Sequence, residues 1–395
     1  MLSKITKYFK GDIVIWMVIT FLIVISIIAV FTSTGTLAYK YQGGNTWHYM
    51  FRHASILFFG FLIVYVTHRI PYLFFSKISL ILMIISIPLL FITLIIGASL
   101  NEASRWIMVP GLGLSFQTSD LAKFALIMFV ARFLAQKQDN IKDFKTVFRP
   151  LILTIGITCL LIFPANFSTS ALLFLVTFVL MFVGRVNIKY LAGLVLVGIT
   201  SIIILFAVVK SDFGESLKEY GRVGTWINRI ENFNDPESKE NFQADQSKIA
   251  IATGGITGKG PGKSTQRNFL PHPYSDFIYS IIIEEYGIFG ASTIILLYMI
   301  LFYRATIIVK TVRHRFAAFV AIGLSLSLVF QAFVNMAVAV NILPVTGQTL
   351  PFLSMGGTSI FFTAAAFGVI LSVSRDSKQE DVQDLEKQTK IEVPN

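Results

Sequence analysis

Ten apolar runs, each about as long as a membrane-spanning helix, constrain this chain more than any other feature. A helix needs about 20 apolar residues to cross the hydrocarbon core of a bilayer. The runs cover 13–33, 54–73, 76–98, 119–135, 148–164, 168–184, 190–209, 277–303, 316–341 and 356–374. They predict an all-α integral membrane protein, a polytopic bundle of about ten transmembrane helices.

The composition excludes most soluble classes of protein. Apolar residues make up 54% of the 395 and charged residues 14%, whereas a soluble domain has about 25% charged residues. A soluble fold cannot bury this much apolar surface, so soluble enzymes and nucleic-acid-binding domains are excluded. The single cysteine, Cys159, excludes an intramolecular disulfide and a CxxC metal site, and its apolar setting predicts a buried hydrophobic side chain.

The basic residues predict the orientation in the membrane. Counted over the short segments between runs, twenty Lys and Arg fall on one side and three, Lys40, Arg52 and Arg105, on the other. The positive-inside rule places both termini in the cytoplasm. The polar stretch 210–275 then forms one large outer loop within a single membrane domain, residues 1–375, and 376–395 form a disordered cytoplasmic tail.

Ionisable residues at the edge of an apolar run are candidates for function because a bilayer makes them costly. Asp276 stands directly before the eighth run, where a carboxylate could act as a base on a lipid-borne substrate. The alternative is that Ser275 or Asp276 caps the helix. Glu284 and Glu285 are expected in the same helix as Asp276, where Glu284 lies about 80° around from Asp276 and can share a cavity with it, while Glu285 faces the opposite way.

Asp120 and Lys123 open the fourth run, three residues apart, so they can pair on one helix face. One interpretation is a self-satisfied ion pair at the surface. The other is that Lys123 reaches into the bundle as the counter-charge of Asp276 or Glu284. In the preceding loop, Arg105 could bind a phosphate and Trp106 is typical of an interface anchor.

Two segments are rich in glycine or proline. TGGITGKGPGKST at 253–265 has Thr257 where a nucleotide-binding P-loop needs its first glycine, which argues against that motif. A flexible surface loop, a phosphate-binding nest of backbone and lysine, and a re-entrant segment remain open. NILPVTGQTLPFLSMGGTS at 341–359 predicts a broken outer segment that lines a cavity or is buried in protein.

These motifs together resemble the SEDS family, the FtsW, RodA and SpoVE-type proteins of bacterial cell-wall synthesis, over about residues 10–375. The resemblance rests on EASRWI, QTSDLAK, QSKIAIATGGITGKG, LPHPYSDFIY, the EE-x-G of 284–287 and PVTGQTLPFLSMGGTS. It implies a ten-helix peptidoglycan glycosyltransferase that polymerises lipid II at the outer face of the bacterial cytoplasmic membrane. GKGPGKSTQ is closer to the FtsW-like division type than to the RodA-like elongation type.

The resemblance also implies roles for individual residues. Asp276 falls on the essential carboxylate and is expected to be the general base. Asn166 replaces an acid of the family pattern, and Tyr274 replaces a histidine. The residues expected to bind substrate around Asp276 are Arg105, Trp106, Asp120, Lys123, Glu284, Lys263 and Ser354.

The expected chemistry needs no organic cofactor. The pyrophosphate leaving group needs cations, which Arg105, Lys123 or a divalent metal, Mg²⁺ or Mn²⁺, could supply. Expected partners are lipid II, a class B penicillin-binding transpeptidase and other divisome or elongasome membrane proteins. Two other functions remain open. One is a lipid II flippase, which would account for the intramembrane charges of Lys123, Glu284 and Glu285, and the other is a non-catalytic scaffold for the transpeptidase.

Overall fold

The computed structural model describes residues 8–96, 98–100, 103–109, 114–209 and 239–392. Where these ranges include residues 96–115, 202, 205, 206, 208, 209, 239–241 and 379–392, the structure describes the backbone alone. The helices of this part are α1 Ile13–Ser33, α2 Gly35–Gln42, α3 Thr46–Arg69, α4 Tyr72–Ile96, α5 Thr118–Gln136, α6 Arg149–Ile162, α7 Phe167–Val183, α8 Ile188–Val209, α9 Lys239–Gly254, α10 Ile278–Thr311, α11 Arg315–Ala339 and α12 Ser359–Glu392. Three strands precede α5, namely β1 Ala98–Leu100, β2 Ala103–Val109 and β3 Leu114–Gln117.

Ten of these helices lie over the ten predicted apolar runs, which confirms the polytopic helical architecture. Among the described residues, seven helices are long and apolar enough to cross a membrane, and α7 and α8 add two shorter apolar ones. The tenth, α5, carries three charged residues, Asp120, Lys123 and Arg132, within its apolar run. Only α2 and α9 lie outside the predicted runs.

Helix α11 is the centre of the bundle. It packs against α5, α7, α10 and α12, and 19 of its 25 residues are buried, so it is enclosed by protein rather than lipid. Gly323 permits a close approach, because a Cβ there would lie 2.8 Å from Ile127 of α5 and 3.2 Å from Leu180 of α7.

The segment between α4 and α5 departs from the all-α prediction. It forms a small antiparallel sheet in the order β1-β2-β3, in which Trp106 lies opposite Gln117. The sequence of β2, ASRWIMV, contains the aromatic and β-branched residues that favour strands. The sheet ends where α5 begins, so it sets the position of that helix.

The end of the chain also departs from the prediction. The tail expected to be disordered is helical, because α12 continues past Arg375 to Glu392. Its sequence here is rich in Lys, Gln, Glu and Asp and holds no glycine or proline before residue 392, and the long members of this set favour helix strongly.

A buried ion pair joins α1 to α10 at the opposite end from Asp276. Asp12 accepts hydrogen bonds from the backbone nitrogens of Val14 and Ile15, which caps α1. Its second oxygen accepts from Nε and Nη2 of Arg304 at 2.9 and 2.5 Å. Because the Asp12 side chain is 2% exposed, the pair fixes the two helices relative to each other.

Candidate active site

Asp276 lies on a non-helical turn directly before α10. The helix begins at Ile278 with Phe277 as its N-cap residue, so the prediction that Ser275 or Asp276 caps it is wrong. The Asp276 side chain is half-buried, and its Oδ1 accepts a hydrogen bond from Oγ of Ser275 at 2.9 Å. Because Asp276 lies before the helix, the angle of about 80° around the helix axis that was expected between Asp276 and Glu284 does not describe their arrangement.

The main chain that carries Asp276 is held at three successive carbonyl oxygens. The carbonyl oxygen of Tyr274 accepts from the backbone nitrogen of Met355 at 2.9 Å. That of Ser275 accepts from Oγ of Ser354 at 2.6 Å. That of Asp276 accepts from Nδ2 of Asn335 at 2.9 Å. The position of the carboxylate is therefore set from outside its own segment.

Two of these donors come from the chain between α11 and α12, which is non-helical over 340–358 as predicted. Its centre is buried, with Leu350, Phe352 and Leu353 at most 1% exposed. Irregular backbone at this depth of a membrane protein is stable only where protein or a cavity surrounds it. Ser354 is 1% exposed and also accepts from the nitrogen of Leu350, so in this arrangement its hydroxyl bonds main chain.

Asp120 and Lys123 form an ion pair, as one of the two interpretations predicts, but the pair is largely buried rather than at the surface, with side chains 7% and 13% exposed. Nζ of Lys123 lies 3.4 Å from Oδ1 of Asp120 and donates to Oε1 of Gln331 at 2.8 Å. Gln331 in turn donates to the carbonyl oxygen of Thr349 at 2.8 Å. The prediction that Lys123 is the counter-charge of Glu284 is wrong, because Lys259 takes that position.

One face of α11 connects the Lys123 pair with the Asp276 segment. Gln331 and Asn335 are buried and four residues apart, so they lie about 6 Å apart along the helix. Gln331 contacts Lys123, and Asn335 contacts Asp276. Gln331 was not a sequence candidate, although two amides one turn apart in an apolar run are a usable signal.

Glu284 is fully buried and anchors the glycine-rich loop. Its Oε1 accepts from Nζ of Lys259 at 2.5 Å and from the nitrogen and Oγ1 of Thr265 at 3.1 and 2.8 Å. Its Oε2 accepts from Oγ of Ser264 at 2.5 Å and from the nitrogen of Gln266 at 3.2 Å. Both oxygens therefore bond to the loop.

The glycines of this loop allow backbone to lie against backbone. Gly287 has a φ of +65° and interrupts α10, and the loop packs into the interruption. A Cβ on Gly258 would lie 2.2 Å from the carbonyl oxygen of Glu285, and one on Gly287 would lie 2.2 Å from that of Ile256. The loop is therefore packed rather than free, while Lys263 at its tip is exposed.

Tyr274 stands two residues before Asp276 and is half-buried. Burial raises the pKa of its phenol above 10, and the charges of Tyr49, Asp276 and Tyr41 raise the pKa further. The phenol is therefore neutral at physiological pH. The ring of His272 packs edge-on against it, with centroids 6.1 Å apart.

Arg105 and Trp106 lie in β2, and their side chains are outside the described part of the structure. The backbone places Trp106 opposite Gln117, the residue before α5. This pairing brings residue 106 to the start of the helix that carries Asp120 and Lys123. Substrate binding by Arg105 and Trp106 stays a prediction.

Two apolar cavities flank α1, and neither holds charged groups. One, of about 420 Å³, lies between α1 and α10 beside the interruption at Gly287, and its lining includes Ile25, Ile282, Tyr286 and Phe289. The other, of about 380 Å³, lies between α1 and α3. No three His, Cys, Asp or Glu side chains of the described residues group as a metal site would require.

The chain is similar to known proteins over almost its whole length. The family model for FtsW, RodA and SpoVE, described as "Cell cycle protein", matches residues 12–379. The probable peptidoglycan glycosyltransferase FtsW of Geobacter sulfurreducens is 31% identical over 94% of this chain and 96% of its own. Stage V sporulation protein E of Bacillus subtilis is 32% identical over 94% of this chain and 99% of its own.

A solved structure has the same fold. It comes from work on the structural coordination of polymerization and crosslinking by a peptidoglycan synthase complex. Its chain superposes with a TM-score of 0.73 at 23% identity, covering 93% of this chain and 99% of that one. With the family match, these similarities establish that the chain belongs to the FtsW/RodA/SpoVE family.

Proposed function

We propose that this protein polymerises lipid II into glycan strands at the outer face of the bacterial cytoplasmic membrane, with Asp276 as the general base. As a family member and a relative of the probable glycosyltransferase FtsW, the chain is a peptidoglycan glycosyltransferase. The observation that supports the finer proposal is the half-buried carboxylate of Asp276 on a main chain held by three separate donors.

The reaction needs one base on the attacking side. The C4 hydroxyl of the acceptor sugar attacks C1 of the donor sugar, the bond from C1 to the pyrophosphate oxygen breaks, and C1 is inverted. The Asp276 carboxylate accepts the proton of the attacking hydroxyl, and undecaprenyl pyrophosphate leaves with the bonding electrons. A carboxylate at a fixed distance from the hydroxyl removes the cost of orienting the base.

The leaving pyrophosphate gains negative charge and needs cations near it. Lys123 suits this role because its side chain is 13% exposed and its ammonium group has three N–H donors, one of which bonds Gln331. Arg105 and the exposed Lys263 are further candidates. A divalent cation bound between pyrophosphate and protein would add charge stabilisation of the same kind.

The orientation and the lipid chain fit this scheme. Twenty basic residues on one side against three on the other support cytoplasmic termini, and with them an outer position for Asp276. The undecaprenyl chain needs an apolar surface continuous with the bilayer. The apolar cavity of about 420 Å³ between α1 and α10 lies next to the loop that carries Lys263 and is the surface that we propose for this chain.

A membrane-bound transpeptidase of class B is the expected partner, because the structure with the same fold belongs to a complex that couples polymerization to crosslinking. A role in cell division follows the FtsW names of the relatives. Other divisome membrane proteins would then share the assembly.

The test is a reconstitution of the full-length chain in proteoliposomes containing fluorescent lipid II, with and without the cognate transpeptidase. The proposal expects glycan ladders on a gel. Movement of lipid II between leaflets without polymer would overturn it in favour of a flippase. Neither polymer nor movement, with partner present, would overturn it in favour of a scaffold.

A further inference from the structure

Asn335 in α11 is a buried amide that the reaction scheme leaves without a role. Its side chain is 1% exposed. Its Nδ2 donates to the carbonyl oxygen of Asp276 at 2.9 Å and to that of Gln348 at 2.7 Å. Both N–H groups of the amide therefore donate to main-chain carbonyl oxygens. The side chain is too buried to reach substrate.

The two groups next to the amide of Asn335 both need a hydrogen-bond donor. Both are carbonyl oxygens, which only accept, so the NH₂ group must face them. The Oδ1 atom of Asn335 is left buried without a hydrogen-bond partner among the described residues.

The two carbonyl groups belong to the two non-helical segments that meet at the site. Gln348 is itself fixed, because its Nε2 donates to Oγ1 of Thr169 in α7 at 2.6 Å. One turn earlier on α11, Gln331 bonds Thr349 and Lys123. Asn335 thus connects the Asp276 main chain to helix α11 and the segment at Gln348 and Thr349, which also contact α7 and Lys123.

We infer that Asn335 is a positioning residue for glycosyl transfer, holding the Asp276 main chain so that the carboxylate meets the acceptor hydroxyl. The inference rests on the proposed function. A displacement of a reacting group by about 1 Å lowers a rate about 100-fold. Since Asn335 does not reach substrate, its loss lowers kcat and leaves the KM for lipid II unchanged.

The experiment measures initial rates of polymerisation against lipid II concentration for the wild-type chain, Asn335→Ala and Asn335→Ser. Alanine removes both donors, and we expect kcat to fall about tenfold or more with KM within about twofold. Serine keeps one hydroxyl donor and gives an intermediate kcat. Ser325→Ala is the matched control, because Ser325 is buried in the same helix and, within the described part of the chain, its hydroxyl bonds only Ile322 of that helix.

A second readout separates positioning from folding. Rates are normalised to the folded fraction from size-exclusion chromatography, and Asn335→Ala is combined with Ser354→Ala, which removes the neighbouring donor. If Asn335 and Ser354 position the same segment, the fold-loss of kcat in the double variant is smaller than the product of the fold-losses in the two single variants.

Wild-type kcat in Asn335→Ala, or a raised KM with unchanged kcat, would overturn the inference. If the alanine variant does not fold, the serine variant decides, and wild-type kcat there overturns the inference too. Failure of the wild-type chain to polymerise lipid II would instead refute the proposed function, so the two failures are distinguishable.

Discussion

Oε1 of Glu284 and Nζ of Lys259 lie 2.5 Å apart, and the carboxylate is fully buried. Three consecutive residues, 264–266, donate further hydrogen bonds to the same group. A carboxylate with both oxygens bonded in this way holds the loop in place. The substrate contact that the resemblance implies for Glu284 stays a prediction.

Glu284→Gln should loosen the glycine-rich loop. The amide loses the ion pair with Lys259, and its NH₂ group faces loop groups that are themselves hydrogen-bond donors. We expect the free energy of loop opening to fall by about 2 kcal/mol, which makes trypsin cleavage after Lys263 or Arg267 about 30-fold faster. The control is Asp245→Asn, which breaks the exposed pair with Lys248 and should leave cleavage unchanged. Equal cleavage in both variants would contradict the anchoring role.

Two glycines of the loop should respond differently to the same substitution. Gly258 and Gly262 have φ of +79° and +73°, so alanine costs about 1–2 kcal/mol of backbone strain at each. Only at Gly258 does the new Cβ meet backbone, at 2.2 Å from Glu285, while nothing lies within 4 Å at Gly262. Thermal unfolding in detergent should show a much larger loss for Gly258→Ala, and matching losses would refute the docked loop.

The helices follow from local pattern, whereas the site depends on contacts that pattern does not encode. Apolar runs predict each membrane helix because the bilayer sets both length and composition. The glycine-rich loop left three interpretations open, since glycines that allow close backbone approach read like glycines of a flexible loop. Only the structure places Gly258 and Gly287 against backbone carbonyl groups.

The polar residues near Asp276 were recognisable in part. Asp120 and Lys123 are three apart, so their pairing is predictable from helix geometry. The bonds from Asn335 to Asp276 and from Ser354 to Ser275 join residues 59 and 79 positions apart. One sequence carries no signal for such distant partners, and the interruption of α10 at Gly287 likewise needs the loop that packs into it.

Asp12→Asn should destabilise the bundle at the end opposite Asp276. Removing the buried partner of Arg304 costs about 3 kcal/mol, since Arg304 keeps its charge in a partly buried place. Thermal unfolding in detergent measures the loss, and the polymerisation rate per folded molecule should stay unchanged. Asp139→Asn, which removes the exposed partner of Arg315, should unfold like wild type. Similar losses in the two variants would contradict the buried pair.

Tyr274→His should alter the pH profile of polymerisation. A general base must be deprotonated, so the rate falls as the pH drops through the pKa of Asp276. The neutral phenol, whose pKa is raised by burial, gives Asp276 no cation. An imidazolium would favour the carboxylate form and lower the pKa of Asp276. The acid limb should therefore move to lower pH in Tyr274→His and stay in place in Tyr274→Phe. If the acid limbs of the two variants coincide, residue 274 does not lie close to the general base.

The most direct measurement is the polymerisation rate of Asp276→Asn in proteoliposomes with fluorescent lipid II and the cognate transpeptidase. The amide matches the carboxylate in size and cannot accept the proton, so the rate should fall about 100-fold or more while lipid II binding persists. Wild-type glycan ladders from the Asp276→Asn protein would contradict the assignment of Asp276 as the general base.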